Sequence, residues 1–237
     1  MLRVGVAGAN GRLGRVAAAA IAAAPDLALV AAFDRATTPV EGVAVHDDLD
    51  LFYDVPMDIV VDCTVYPVTL DVARGAVACG VSPVIGATGW MDEDVVSFSD
   101  AVDTAGIGAL LVPNFSVGAV LMMRFAAEAA QHFAGVEIIE LHHDQKRDKP
   151  SGTAALTAKR IAAAGGPADV PIHSVRLPGL VAHQEVIFGG VGETLTLRHD
   201  SLSRDSFAGG IVLAARSVRG LKRLVIGIDS LLFKETT

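Results

Sequence analysis

The sequence predicts an α/β chain. An N-terminal parallel-sheet domain is completed by the C-terminal segment, and a central α+β domain carries a mixed or antiparallel sheet. Three observations support this. Short β-branched runs alternate with amphipathic helical patterns as far as Phe115, the rhythm changes from Val117, and a helix followed by a strand returns near the end. Hydrophobic residues make up 51% of the chain and the mean hydropathy is +0.48. Strands covered by helices on both faces read as continuously apolar and account for much of that value.

Leu2 to Ala7 reads as a strand. Leu13, Val16, Ala17, Ala20, Ile21 and Ala24 recur at helical spacing, and Pro25-Asp26 stops that helix. Leu27 to Phe33 gives a second strand, followed by an irregular stretch through Asp50. Ile59 to Asp62 is a strand and Val68 to Cys79 a helix. Pro83 to Ile85, a helix from Asp92 to Thr104, and Ile107 to Val112 continue the alternation. A long helix from Val117 to about Phe133 leads to the strand Val136 to His142, a polar loop from His143 to Pro150, and a helix from Gly152 to about Ala164 that ends at Gly165-Gly166. Ile172 to Leu177, Gln184 to Phe188 and Thr194 to His199 are strand-like, without helices long enough to act as parallel crossovers between them. A helix from Ser206 to Val218 and a strand from Leu224 to Ile228 return the chain to the first sheet. The expected domains are therefore residues 1–115 with 205–237, and residues 116–204.

At 237 residues and net charge −8, the chain can bury a large core, and its average surface repels polyanions, which argues against non-specific nucleic-acid binding. The longest uncharged stretch, Thr104 to Met123, is interrupted by Pro113 and Asn114 and reads as strand, loop and helix rather than a membrane span. The chain opens on a strand rather than a signal peptide, so a cytoplasmic location is expected. Cys63 and Cys79 each lie in an apolar segment and read as buried reduced thiols, not as a disulfide or a metal site.

Gly8-Ala9-Asn10-Gly11-Arg12-Leu13-Gly14 follows the first strand and opens the first helix. Glycines there let the backbone approach a pyrophosphate, and the helix N-terminus offers free N–H groups. Asp34, 20 residues past Gly14 at the end of the second strand, is placed to accept hydrogen bonds from an adenosine ribose. Together these features read as a Rossmann-type dinucleotide site for NADH, NADPH or both; the alternative is a glycine-rich turn beside an ordinary surface aspartate. Arg35 would suit a 2′-phosphate or be a solvated surface residue. Gly86-Ala87-Thr88-Gly89 and Val112-Pro113-Asn114-Phe115 follow later strands, where ligands of open parallel sheets lie, and are expected to line the nicotinamide end.

The densest chemistry lies between Glu140 and Ala154. His142 and His143 are followed by Lys146, Arg147 and Lys149, and the run ends in Ser151-Gly152-Thr153 at a helix N-terminus. Free N–H groups, hydroxyls of Ser151 or Thr153 and nearby Lys146 would together hold a carboxylate. From Glu140 to Arg160 five cations face three anions, a local +2 within an acidic chain. In an extended backbone the two histidines point to opposite sides, so different roles are expected: one for proton donation, one for binding a carboxylate or supporting the loop. Solvated loop charges capping a helix are the plainer alternative.

The pattern His-His-x-x-Lys-x-Asp-x-Pro-Ser-Gly-Thr, with Gly8 to Gly14, Asp62-Cys63-Thr64, Gly86 to Gly89, Pro113 to Gly118 and Gly192-Glu193 to Arg204, resembles the 4-hydroxy-tetrahydrodipicolinate (dihydrodipicolinate) reductase family over essentially the whole chain. The resemblance implies NAD(P)H-dependent reduction of (2S,4S)-4-hydroxy-2,3,4,5-tetrahydrodipicolinate in diaminopimelate and lysine biosynthesis. It implies His142 as catalytic acid, Lys146 as catalytic lysine, and His143 with the Gly152-Thr153 backbone as contacts of the dicarboxylate. Gly8 to Leu13, Asp34, Arg35, Gly86 to Thr88 and Val112 to Phe115 would contact the cofactor, and the central sheet would build a homotetramer. Cys63, Ala87 and Lys149 depart from the usual pattern, Ala87 by losing a hydroxyl. A semialdehyde dehydrogenase, which needs a nucleophilic cysteine, and a dinucleotide-sensing regulatory module are the rival readings.

Overall fold

The computed structural model describes residues 1–233; residues 234–237, the end of the segment expected to complete the first domain, lie outside the described residues. The chain divides into two compact units, one comprising Met1–Phe115 and the chain from Phe207 onward, the other Ser116–Ser206.

The first unit begins with β1 (Leu2–Ala7), α1 (Arg12–Ala23), β2 (Leu27–Phe33), β3 (Val45–His46), α2 (Leu49–Tyr53) and β4 (Ile59–Asp62). It continues through α3 (Val68–Ala78), β5 (Ser82–Ile85), α4 (Asp92–Ala105) and β6 (Ala109–Leu111). The second unit holds α5 (Val117–Ala129), β7 (Gly135–His142), α6 (Gly152–Ala163), β8 (Ile172–Arg176), β9 (Ala182–Gly190) and β10 (Glu193–Ser201). The chain then returns to the first unit with α7 (Ala208–Ser217), β11 (Leu224–Ile226) and α8 (Asp229–Leu232). No helix among the described residues is long and apolar enough to cross a membrane.

Seven strands of the first unit form one sheet in the order β11-β6-β5-β4-β1-β2-β3, with every neighbouring pair parallel. β4 is buried throughout, and Val4, Val6, Ile59, Val60, Val61 and Val84 are inaccessible to solvent. Burying side chains of this size favours folding by about 1.5–3 kcal/mol each, which explains the uninterrupted apolar runs. α1 lays Ala17, Ala18 and Ile21 into this core, and it stops where Ala24 turns extended ahead of Pro25.

Two sequence expectations are corrected in this unit. The stretch before Asp50 is not wholly irregular: Val45–His46 adds an edge strand beside β2, and Asp48 caps α2 by accepting from the N–H groups of Asp50 and Leu51 at 2.9 and 3.0 Å. A five-residue helix is too short to show a 3.6-residue period, and burial of Phe52 holds it in place. Cys79 is exposed, because it caps the end of α3 at the surface; only Cys63 is partly buried, and both thiols are free.

The second unit has a four-stranded mixed sheet, β10-β9-β7-β8, in which only β7 and β8 run parallel, with α6 between them in the chain. Val136, Ile138, Val186 and Phe188 form its buried apolar face, and α5 and α6 contribute Val120, Met123, Ala154 and Ile161 to the core. α5 ends at Ala129, short of the expected Phe133, whose ring packs instead on Phe188 with centroids 5.6 Å apart.

The same face of β7 continues from Val136 and Ile138 to Glu140, a fully buried carboxylate. Arg176 at the end of β8 meets it with both terminal nitrogens, at 2.8 and 2.7 Å, and is itself 7% exposed. Burial works against the charged carboxylate, but hydrogen bonds from Arg176, Ser174 and His142 outweigh it and hold the group down at about 2. In the unfolded chain it would titrate at about 4.3.

A Gly14→Ala methyl would lie 2.0 Å from the Gly8 carbonyl oxygen, so the turn and α1 must part; the expected loss is about 1–3 kcal/mol, read as a lower urea midpoint, whereas an unchanged midpoint would mean the turn yields freely. For Glu140, the depressed carboxyl contributes stability that is fully present above its unfolded value and lost as the pH falls through about 2, on the order of 3 kcal/mol in all. The urea midpoint should therefore decline through this acid range, and Glu140→Gln should flatten that part of the profile while lowering stability at neutral pH.

Candidate active site

In the first unit the loops after β1, β2, β5 and β6 leave from one edge of the parallel sheet. Gly8 has φ +73°, and a Cβ there would lie 2.7 Å from the Cys63 carbonyl. Its N–H and that of Ala9 bond the Phe33 carbonyl at 2.8 and 3.1 Å. α1 starts at Gly11 with no side-chain cap, which leaves first-turn N–H groups, including those of Arg12 and Leu13, for an outside acceptor. These features fit a pyrophosphate: the backbone is bare where it must be approached, and donors point off the helix end.

Asp34 also supports the turn. Its oxygens accept from the N–H groups of Asn10 (2.9 Å) and Ala36 (3.1 Å), while the Asn10 amide donates to the carbonyls of Ala36 and Thr38. Each oxygen keeps acceptor capacity, and the side chain is half-buried at the rim. Arg35 beside it is exposed.

Ala87 is 5% exposed and packs among Ala73, Phe98, Val102 and Leu111. Its side chain points into the core, so a hydroxyl at this position would not reach the rim from this conformation. Thr88 and Gly89 are exposed. Val112 and Phe115 are buried, leaving their backbone, with exposed Pro113 and half-buried Asn114, to face a ligand. Beneath this edge, buried Asp62 accepts from Thr64 N–H (2.8 Å), Thr64 Oγ1 (2.6 Å) and Thr69 Oγ1 (2.5 Å), while burial pushes its carboxyl up. Desolvation and the Asp62 charge push the Cys63 thiol strongly up. A thiol held in its neutral form is a poor nucleophile, which counts against Cys63 in the role the semialdehyde reading needs.

In the second unit, β7 delivers His142 at its last position, with the side chain 13% exposed. Its Nδ1 lies 2.5 Å from Glu140 Oε2. Burial lowers the His142 pKa, Lys146 and Arg176 add to the fall, and Glu140 opposes it. Lys146 follows in a turn closed by its N–H on the His143 carbonyl, and its Nζ holds both oxygens of Asp148 at 2.8 and 2.9 Å. That pair is solvent-facing at Asp148, so it contributes at most ~1 kcal/mol and an incoming anion can compete for the lysine. His143 is half-buried.

Ser151 caps α6, its Oγ accepting from Ala154 N–H at 3.2 Å, and its own N–H donates to Glu140 Oε1 at 3.2 Å. Gly152 is exposed and Thr153 half-buried in the first turn. Histidine, lysine and helix N-terminus thus belong to one unit and are tied through a single carboxylate. Sequence reading missed the residues that tie them, Glu140 and Arg176. Arg176 also donates to the carbonyls of Lys146 (3.2 Å) and Asp148 (2.8 Å), fixing the loop. A usable signal did exist for Glu140: a charge two residues before His142 on the apolar face of a strand.

The profile described as "Dihydrodipicolinate reductase, N-terminus" matches residues 2–115, and "Dihydrodipicolinate reductase, C-terminus" matches residues 118–232. The 4-hydroxy-tetrahydrodipicolinate reductases of Geobacillus thermodenitrificans and Mycolicibacterium smegmatis are 45% and 44% identical, each match covering 98% of this chain and 99% of the relative. A dipicolinate-bound dihydrodipicolinate reductase from Paenisporosarcina sp. TG-14 superposes with TM-score 0.88 at 37% identity, over 97% of this chain and 99% of that one. The chain belongs to the dihydrodipicolinate reductase family of oxidoreductases.

Proposed function

We propose that the chain reduces (2S,4S)-4-hydroxy-2,3,4,5-tetrahydrodipicolinate to tetrahydrodipicolinate with NADH or NADPH, releasing water, in diaminopimelate and lysine biosynthesis. The observation that carries this reading is His142, a protonatable ring held by a buried carboxylate beside a lysine and a helix N-terminus, in a chain of this family. When bound, the nicotinamide cofactor supplies the hydride. One hydride and one proton enter and the 4-hydroxyl departs as water.

The first unit serves as the dinucleotide domain. Gly8 to Leu13 hold the pyrophosphate by backbone N–H groups, Asp34 takes the ribose hydroxyls, Arg35 meets a 2′-phosphate when one is present, and the Gly86 to Thr88 and Val112 to Phe115 loops line the nicotinamide end. The second unit serves as the substrate domain. Ser151, Gly152 and Thr153 orient one carboxylate at the α6 N-terminus, His143 contacts the dianion, and Lys146 exchanges Asp148 for it. As negative charge develops on the ring nitrogen, His142 gives the proton, with Lys146 assisting.

The sheet face away from α5 and α6 carries half-buried Ile139, Leu141, Val175 and Ile187, which suits a homo-oligomeric face, a tetramer on the family resemblance. A cytoplasmic location fits the cofactor and the two free thiols.

Purified protein given freshly generated substrate should oxidise NADH or NADPH; oxidation of neither sinks the reading. His142→Gln and Lys146→Met should each lower kcat about 10²- to 10⁴-fold with cofactor affinity unchanged, and a loss confined to cofactor affinity would reassign both residues. Arg35→Ala should cut kcat/KM for NADPH roughly tenfold and spare NADH if the guanidinium meets the 2′-phosphate; equal effects on both cofactors would make Arg35 a surface residue.

A further inference from the structure

We infer that Glu140, clamped by Arg176, is the positioning residue of the reaction: it fixes His142 with its proton on Nδ1, so that Nε2 alone exchanges a proton with the substrate. The inference deepens the proposed function and rests on its assignment of His142 as the acid.

The geometry allows one arrangement of protons. Glu140 Oε2 accepts from Arg176 Nη1 at 2.8 Å and faces His142 Nδ1 at 2.5 Å. Oε1 accepts from Arg176 Nη2 at 2.7 Å and from Ser151 N–H at 3.2 Å. A bare imidazole nitrogen would oppose its lone pair to that of a carboxylate at this distance, so Nδ1 carries hydrogen. The carboxylate in turn has no reason to take it, because a bidentate guanidinium and a backbone donor already favour the charged form. The proton between the two groups stays on His142. In both its neutral and its charged states the ring is Nδ1–H, and the proton that leaves during reduction and returns from solvent is the one on Nε2.

The charged groups around the ring are few. Glu140 shares its strand, Arg176 comes from β8, Lys146 from the loop, and β9 presents uncharged Ala182 opposite His142 and uncharged Gln184 opposite Glu140. Asp148 pairs Lys146 at the loop, and Glu140 is the anion that bonds both Arg176 and the ring, so a histidine that must be cationic to act depends on it. Arg176 has a second task, since its bonds to the Lys146 and Asp148 carbonyls keep the lysine-bearing loop against the same pair.

The test reads proton location directly. Long-range ¹H–¹⁵N NMR of the ¹⁵N-histidine enzyme, with His142 assigned by comparison with His142→Gln, should show Nδ1 protonated throughout and only Nε2 titrating. A neutral ring protonated on Nε2 overturns the inference without any substitution at Glu140. In Glu140→Gln the amide oxygen can still accept from Nδ1 but the charge is gone. The alkaline limb of kcat/KM should then move to lower pH by about 1–3 units, and Glu140→Asp should restore it. A loss that is uniform across pH, or an unmoved limb, overturns the inference while leaving His142 as the acid. Unchanged turnover in His142→Gln would instead overturn the assignment of His142, and with it this inference.

Discussion

Glu140 never meets water, and a buried carboxylate left without partners costs several kcal/mol, more than most single interactions return. Everything near it in the second unit can be understood as an answer to that cost. Arg176 arrives because β8 runs parallel to β7 in a register that sets it opposite His142. Ser151 arrives because the chain turns back after the polar loop to begin α6, and the same residue caps that helix with its hydroxyl. The histidine, the loop and the helix N-terminus follow one another in sequence, and Arg176, 36 positions beyond Glu140, joins them where that one charge must be satisfied. Replacing a buried ion pair with well-packed apolar residues often costs a fold no stability; here it would take away the anion that faces His142 Nδ1.

The first unit solves its problem by removing atoms rather than by adding charges. Gly8 and Gly14 approach so closely that a methyl on Gly14 would overlap the Gly8 carbonyl, and that closeness brings the start of α1 over the end of β1. Asp34 then works on two sides of the turn, accepting backbone N–H groups within the chain and keeping capacity for hydroxyls outside it. Such a site selects a ligand by shape and by backbone donors. The second unit gathers charge instead, and its loop is locally positive in a chain of net charge −8, as the proposed dicarboxylate site requires.

Much of this was legible in the sequence, for identifiable reasons. Parallel strands buried on both faces leave uninterrupted apolar runs, so β1, β2, β4 and β5 stood out and fell where they were expected to within a residue or so. The glycine turn, Asp34 and the His142 segment were visible because each lies within a short span. α2 and the two-residue β3 were not, since neither is long enough to carry a period. Arg176 was invisible for a different reason: its partner lies 36 positions earlier, and only the β7/β8 register, set by α6 and the loops around it, makes them neighbours. Cys79 misled because an apolar segment does not bury its last residue when that residue caps a helix at the surface.

The contrast between Lys146 and His142 completes the physical picture. Lys146 is paired with an exposed aspartate at the end of a flexible side chain, a contact that water and ions already weaken, so exchanging Asp148 for a substrate carboxylate costs little. His142 is held by a buried carboxylate that is itself held by Arg176 and the Ser151 backbone, so it cannot turn its ring without breaking that network. Binding a dianion calls for a mobile cation that follows the ligand in. In the proposed reaction, delivering one proton to a developing charge calls for a donor that does not reorganise at all, and the end of β7 and the loop after it offer both within five residues because only the histidine is tied to the strand core.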